Sequence, residues 1–162
     1  MKTTAAKTNA IRILEQKKAD FKVLTYTVTD EALSGVEAAG ILGLDPAAVF
    51  KTLVTYGKSG ANYVFVIPVS EELDLKKAAA AAGEKSIAML KSKDLLGLTG
   101  YIHGGCSPVG MKKVFPTFID RQAKNCSVIS VSGGKIGTHV QISLDELAKA
   151  VPFQVADLTA DT

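Results

Sequence analysis

The chain has 162 residues, 47% hydrophobic and 22% charged, which is enough apolar material for a core without metal or disulfide and unlike a disordered chain. Its 19 basic and 16 acidic residues leave a net charge of +3, too mild for an indiscriminate nucleic-acid binder. The longest apolar run, Val64 to Val69, falls far short of the roughly 18 to 20 residues that span a bilayer. No hydrophobic signal core follows Met1-Lys2-Thr3-Thr4, so a soluble, cytoplasmic protein without a membrane partner is expected.

No repeat or linker divides the sequence, and residues 1–162 are expected to form one domain. Thr8 to Lys18 carries Ala10, Ile11 and Leu14 at helical spacing. Phe21 to Val28 reads as a strand. Ser34-Gly35-Val36-Glu37 has the form of a capping box opening a helix that Gly43 closes. Asp45-Pro46 marks a turn, and Val49 to Tyr56 is a strand rich in β-branched and aromatic residues. Gly57-Lys58-Ser59-Gly60 joins it to a returning strand, Asn62 to Val69. A helix from Asp74 to Ala82 ends at Gly83, followed by a short strand, Ser86 to Met89, and a short helix, Ser92 to Leu96. Strands then follow at Val114 to Asp120, Val128 to Ser132 and His139 to Ile142. Ser143-Leu144-Asp145-Glu146 is a second capping box for a last helix reaching Ala150, and Phe153 to Asp157 reads as an edge strand. Without regular βαβ alternation, the expected fold is α/β (α+β): a mixed, curled sheet of about six or seven strands flanked by short helices.

The positive charge is nearly all lysine, since only Arg12 and Arg121 are arginines. Lysine suits point contacts to phosphate, whereas base edges are read by arginine forks. Nucleic-acid contact is therefore expected at the backbone or by shape, and a DNA partner is not expected. Two cysteines, Cys106 and Cys126, and two histidines, His103 and His139, have no metal-ligand spacing, so no metal site is expected. Neither the dinucleotide fingerprint nor the P-loop occurs, and no cofactor is expected.

Two glycine-rich stretches stand out, Gly100 to Gly110 and Val131-Ser132-Gly133-Gly134-Lys135. Such loops let backbone N–H groups approach a carbonyl or phosphate, although tight turns would use the same residues. Lys51 sits mid-strand among Val49, Leu53 and Thr55, a costly place for an ammonium unless a ligand compensates or the chain snorkels to solvent. Cys106 lies near His103 but lacks an acidic third member, so a small buried thiol fits it better than a nucleophile. Asp74, Asp94 and Asp145 read as helix caps or first-turn charges.

In order, Phe50-Lys51-Thr52-Leu53, Leu73 to Lys77, Gly100-Tyr101 with Gly104 to Gly110, and Val131 to Lys135 resemble the YbaK/EbsC family of aminoacyl-tRNA deacylases. These are relatives of the editing domain inserted in bacterial prolyl-tRNA synthetase. The resemblance runs from about residue 8 to 158. It implies a strongly curved mixed sheet packed with helices, and trans-editing of cysteine mischarged onto tRNA(Pro), with cysteinyl-tRNA(Cys) as a further substrate. It also implies delivery by prolyl-tRNA synthetase in a ternary complex. Lys51 matches the family's essential lysine at the 3′-terminal phosphate or ribose. Gly104 and Gly105 match the loop around the aminoacyl carbonyl. Ser132, with Gly133 beside it, matches the serine after the penultimate strand, and Tyr26 a tyrosine of the pocket. Ser34 stands where close members carry phenylalanine, His139 where they carry aspartate near the ribose, and Cys106 where they carry an aliphatic residue.

The mechanism implied is substrate-assisted: the cysteinyl thiol attacks its own ester and leaves as a cyclic thioester, while the protein orients and stabilises. Ser34 and His139 also admit a deacylase of Ala-tRNA(Pro) using a bound water. A non-catalytic module binding tRNA or a synthetase is the reading from another class.

Overall fold

Thr8, Ser34, Asp74 and Ser143 each place a side-chain oxygen on a backbone N–H at the start of a helix, satisfying a donor that the helix itself cannot. In this computed structural model, which describes residues 7–27 and 33–161, those helices are α1 (Asn9–Gln16), α2 (Gly35–Leu42), α3 (Leu75–Ala82) and α5 (Leu144–Leu147). The fifth, α4 (Ser92–Thr99), follows Lys91 without a side-chain cap. At α2 the capping box is complete, and Gly43 closes the helix at φ 70°. At α5 only half of the expected box forms. Ser143 accepts from the Glu146 N–H, but the Glu146 carboxylate turns to the Asp20 N–H at 2.7 Å and Lys149 at 2.9 Å.

The strands are β1 (Phe21–Thr25), β2 (Phe50–Gly57), β3 (Asn62–Pro68), β4 (Ile87–Met89), β5 (Thr117–Asp120), β6 (Ile129–Lys135), β7 (Thr138–Ile142) and β8 (Gln154–Ala156). They form a five-stranded sheet, β4-β2-β3-β5-β8, and a three-stranded sheet, β1-β7-β6. The larger is mixed: β2 is antiparallel to β3 and β4, while β3–β5 and β5–β8 are parallel. A single parallel bridge, Val49 to Ser130, joins the two sheets. The mixed α/β architecture is the expected one, with eight strands in two joined sheets.

The core follows from β3, which is buried on both faces. Val64 and Val66 pack into a large cluster with Leu14, Phe50, Ile129 and Val140, whereas Phe65 and Ile67 pack with Ala78, Ala79 and Phe118. That alternation is the two-residue period of a strand covered on both sides. The alanines of α3 let that helix lie close against it.

Several boundaries differ from expectation, each for a local reason. β5 starts at Thr117 instead of Val114 because Pro116 cannot donate to a ladder, and Val114 is 71% exposed. β6 continues through Gly133 and Gly134 to Lys135, with a register shift between Ser132 and Lys135. β1 ends at Thr25, and Val28 lies outside the described residues. α4 runs on to Thr99, α5 stops at Leu147, and Arg121–Asn125 forms an unanticipated 3₁₀ turn.

Candidate active site

β4 pairs only with Thr55–Gly57 of β2, and the bridge to the other sheet comes at Val49. Between them the edge of β2 has no strand partner, and a cavity of about 220 Å³ opens there, lined by Phe50, Lys51, Thr52 and Leu53. The three-stranded sheet supplies the facing wall, with Tyr26 just past β1, Ser132 on β6 and His139 on β7. The start of α2 closes one side through Ser34, Gly35 and Ala38, and the loop after α4 closes another through His103, Gly104 and Cys106.

Six of the residues singled out by sequence thus line one cavity: Tyr26, Ser34, Lys51, Gly104, Ser132 and His139. Gly105 and Gly133 do not line it; they sit behind. A Cβ on Gly105 would come within 2.9 Å of Lys135 Cα and 3.0 Å of Ile136 N, so its lack of a side chain lets the 104–105 loop rest on the β6–β7 turn. A Cβ on Gly133 would meet Thr138 Cγ2 at 2.9 Å. Gly104 itself has φ 86°, a backbone conformation that disfavours any side chain.

Lys51 is half-buried and makes no hydrogen bond or ion pair to the described residues. Among the described residues it is also the only Lys or Arg lining the cavity, and no carboxylate lines it among them. An unpaired ammonium in such a wall favours an anionic or strongly polar ligand. Thr52 was not anticipated. Its Oγ1 is buried without a hydrogen-bond partner among the described residues, an unusual and costly state that a bound ligand's polar atom would relieve. In sequence Thr52 is one more strand threonine, and only its burial marks it.

Ser34 spends its hydroxyl oxygen on the Glu37 N–H at 3.1 Å, so toward the cavity it presents mainly small size. Ser132 Oγ accepts from the Gly134 N–H at 3.2 Å, fixing the bend of the glycine pair. His139 Nδ1 lies 3.2 Å from Ser130 Oγ, and its ring centroid is 6.2 Å from that of Tyr26. Burial holds the His139 imidazole below its usual pKa. Cys106 is buried, and burial pushes its thiol up to about 12. Burial therefore favours the neutral thiol at neutral pH, which argues against a resting thiolate at this position. Among the described residues, no group of three or more His, Cys, Asp and Glu is arranged to hold a metal. No helix among them is long and apolar enough to cross a membrane.

Residues 29–150 match the model of a family described as the aminoacyl-tRNA editing domain. The chain is 44% identical over 158 residues to an Enterococcus faecalis (strain ATCC 700802 / V583) protein named "Putative Cys-tRNA(Pro)/Cys-tRNA(Cys) deacylase EbsC", covering 98% of this chain and 96% of that one. It is 29% identical over 117 residues to a proline–tRNA ligase of Shouchella clausii (strain KSM-K16), covering 72% of this chain but only 20% of the ligase. Among solved structures, one titled as a trans-editing enzyme for prolyl tRNA synthetase, itself labelled putative, superposes with TM-score 0.82 at 26% identity, covering 97% of this chain and all of that one. A hypothetical protein, APE2540, shares the fold with TM-score 0.83 at 23% identity, covering 94% of this chain and all of that one. The motifs around Lys51 and the glycine loops, the mixed two-sheet fold and the family match agree: the chain belongs to the aminoacyl-tRNA editing domain family.

Proposed function

We propose that the chain is a trans-editing aminoacyl-tRNA deacylase that removes cysteine from mischarged tRNA(Pro), and from tRNA(Cys), by letting the cysteinyl thiol attack its own ester. The observation that carries the reading is a cavity with a cation, hydroxyls and a glycine loop, whose described thiol is buried and held neutral. Such a site orients a reactive substrate; it does not attack one. The relatives named as deacylases of Cys-tRNA(Pro) and Cys-tRNA(Cys), and as an editing enzyme for prolyl-tRNA synthetase, support the substrate.

Lys51 holds the 3′-terminal phosphate or ribose and so sets the ester in the cavity. The backbone at Gly104 approaches the carbonyl, and Gly105 and Gly133 allow that approach from behind. The unpartnered hydroxyl of Thr52 faces the same ligand, with Tyr26, Ser34, Ser132 and His139 shaping the wall around the aminoacyl group. One well-placed donor to a developing oxyanion is worth about 3 to 4 kcal/mol, which is a large share of what an activated ester requires. A domain of net charge +3 holds tRNA weakly by itself, so prolyl-tRNA synthetase delivers the substrate in a ternary complex.

The test is deacylation of labelled Cys-tRNA(Pro) and Ala-tRNA(Pro) by the wild-type chain and Lys51→Ala. Cysteine release should dominate, and Lys51→Ala should slow it about 10²- to 10³-fold, the range for loss of one transition-state contact. Its melting temperature should scarcely move, because Lys51 has no partner among the described residues. Faster release of alanine would replace this reading with a water-using Ala-tRNA(Pro) deacylase, which the small Ser34 favours. Salt-sensitive tRNA binding without ester loss would leave a binding module.

A further inference from the structure

A cysteinyl thiol must lose its proton before sulfur can attack, and the ribose oxygen must gain one as it leaves. With a thiol pKa of about 8.5, only about 3% of such groups are ionised at pH 7. A base in the cavity would remove that limit. Among the described residues, the titratable side chains lining it are Tyr26, Lys51, His103, Cys106 and His139. Cys106 is buried and protonated. His103 is exposed at the mouth, and no side-chain hydrogen bond to a described residue holds its ring.

His139 differs from all of them in how it is held. It lies on β7, the middle strand of the three-stranded sheet, with Leu24 and Ser132 as its register neighbours. Ser130, 2% exposed and diagonal to it on β6, puts Oγ 3.2 Å from Nδ1. No described residue takes Nε2. The ring is thus fixed at one nitrogen and open at the other, the arrangement by which a partner selects an imidazole tautomer.

We infer that His139 is the proton carrier of the deacylation, with Nδ1–H donated to Ser130 Oγ and Nε2 turned to the substrate. This rests on the deacylase reading above. The thiol S–H bond breaks and its proton passes to Nε2, while the sulfur pair forms a bond to the carbonyl carbon and the C=O π pair moves onto its oxygen. That pair then re-forms the carbonyl as the ester C–O bond breaks, its electrons going to the ribose oxygen, which takes the proton back from Nε2. The imidazole returns to neutral, nothing is oxidised or reduced, and water later opens the cyclic thioester. Burial keeps the ring neutral at physiological pH, so it is ready to accept.

Single-turnover release of cysteine from Cys-tRNA(Pro), measured from pH 5.5 to 9 and corrected for spontaneous hydrolysis, tests the assignment. The wild-type rate should level off below pH 7, because the base has a pKa under the usual histidine value. His139→Asn should be at least about tenfold slower at pH 7, less than the roughly 10²- to 10⁴-fold typical of general-base catalysis because about 3% of the thiol is ionised without a base. It should climb with pH toward the thiol pKa and approach wild type at pH 9, where solvent supplies the thiolate. Ser130→Ala should show a smaller loss with the same recovery, and melting curves report whether either variant is folded. An equal loss at every pH, or no loss at pH 7, overturns the role of His139 while leaving the deacylase intact. A wild-type chain that releases no cysteine at any pH overturns the deacylase, and this inference with it.

Discussion

β3 at the centre of the larger sheet and the β6–β7 pair of the smaller one divide burial and chemistry between them. In the five-stranded sheet β3 carries Val64, Phe65, Val66 and Ile67 at 1% exposure or less with apolar neighbours on both faces, and its titratable side chain, Tyr63, bonds Glu84 and does not line the cavity. In the three-stranded sheet β6 and β7 alternate buried valine and isoleucine with Ser130, Ser132, His139 and Gln141. One face joins the core, and the polar positions form the face from which Ser132 and His139 reach the cavity. A strand sealed on both sides, like β3, is hard to deform but has nothing to offer a substrate, so the five-stranded sheet reaches the cavity through β2, with Lys51 and Thr52. A sheet with one polar face can present reactive groups, at the cost of less apolar burial. The cavity forms where the two meet, along the stretch of β2 that no strand covers.

The largest expected effect would break the stability side. Phe65 is fully buried and stacks on Phe118 at 5.4 Å between centroids, so Phe65→Ala should cost about 3–5 kcal/mol. Chemical denaturation would measure it, and the fraction still folded should deacylate normally. A smaller effect should cross from one side to the other. Gly105→Ala puts a Cβ against Lys135 and Ile136 backbone, and forcing the β6–β7 turn away should cost about 1–3 kcal/mol. Here turnover should fall more than stability, since the displaced turn lies between Ser132 and His139. A melting-temperature loss with unchanged turnover would mean the loop and the turn move independently. The smallest effect has opposite signs on the two sides. Thr52→Val removes a buried hydroxyl without a partner among the described residues and should raise stability by about 1 kcal/mol, yet slow cysteine release. Greater stability with full activity would show that no ligand uses that hydroxyl.

Lys51 was legible in the sequence because a charge among β-branched and apolar strand residues is anomalous wherever the strand packs. The Ser34 capping box was legible because its partners lie three residues apart. Thr52 was not, because nothing in a threonine's neighbours along the chain says whether its hydroxyl finds an acceptor. Gly105 and Gly133 looked like Gly104 in sequence. Only the packing of the 100–110 loop on the β6–β7 turn separates glycines that stand behind the cavity from the one that lines it.

The sequence by itself determined the helix starts, the β2–β3 hairpin, the glycine turns and the family. These depend on hydrogen bonds and backbone preferences within a few residues, or on motifs in fixed order. Tertiary structure alone decided that Tyr26, Lys51, Thr52 and His139 share one cavity and that Ser130 holds the His139 ring. Strand pairing sets those neighbours across separations such as that of Val49 from Ser130, and burial, which no local pattern encodes, decides which of their polar atoms are left for a substrate.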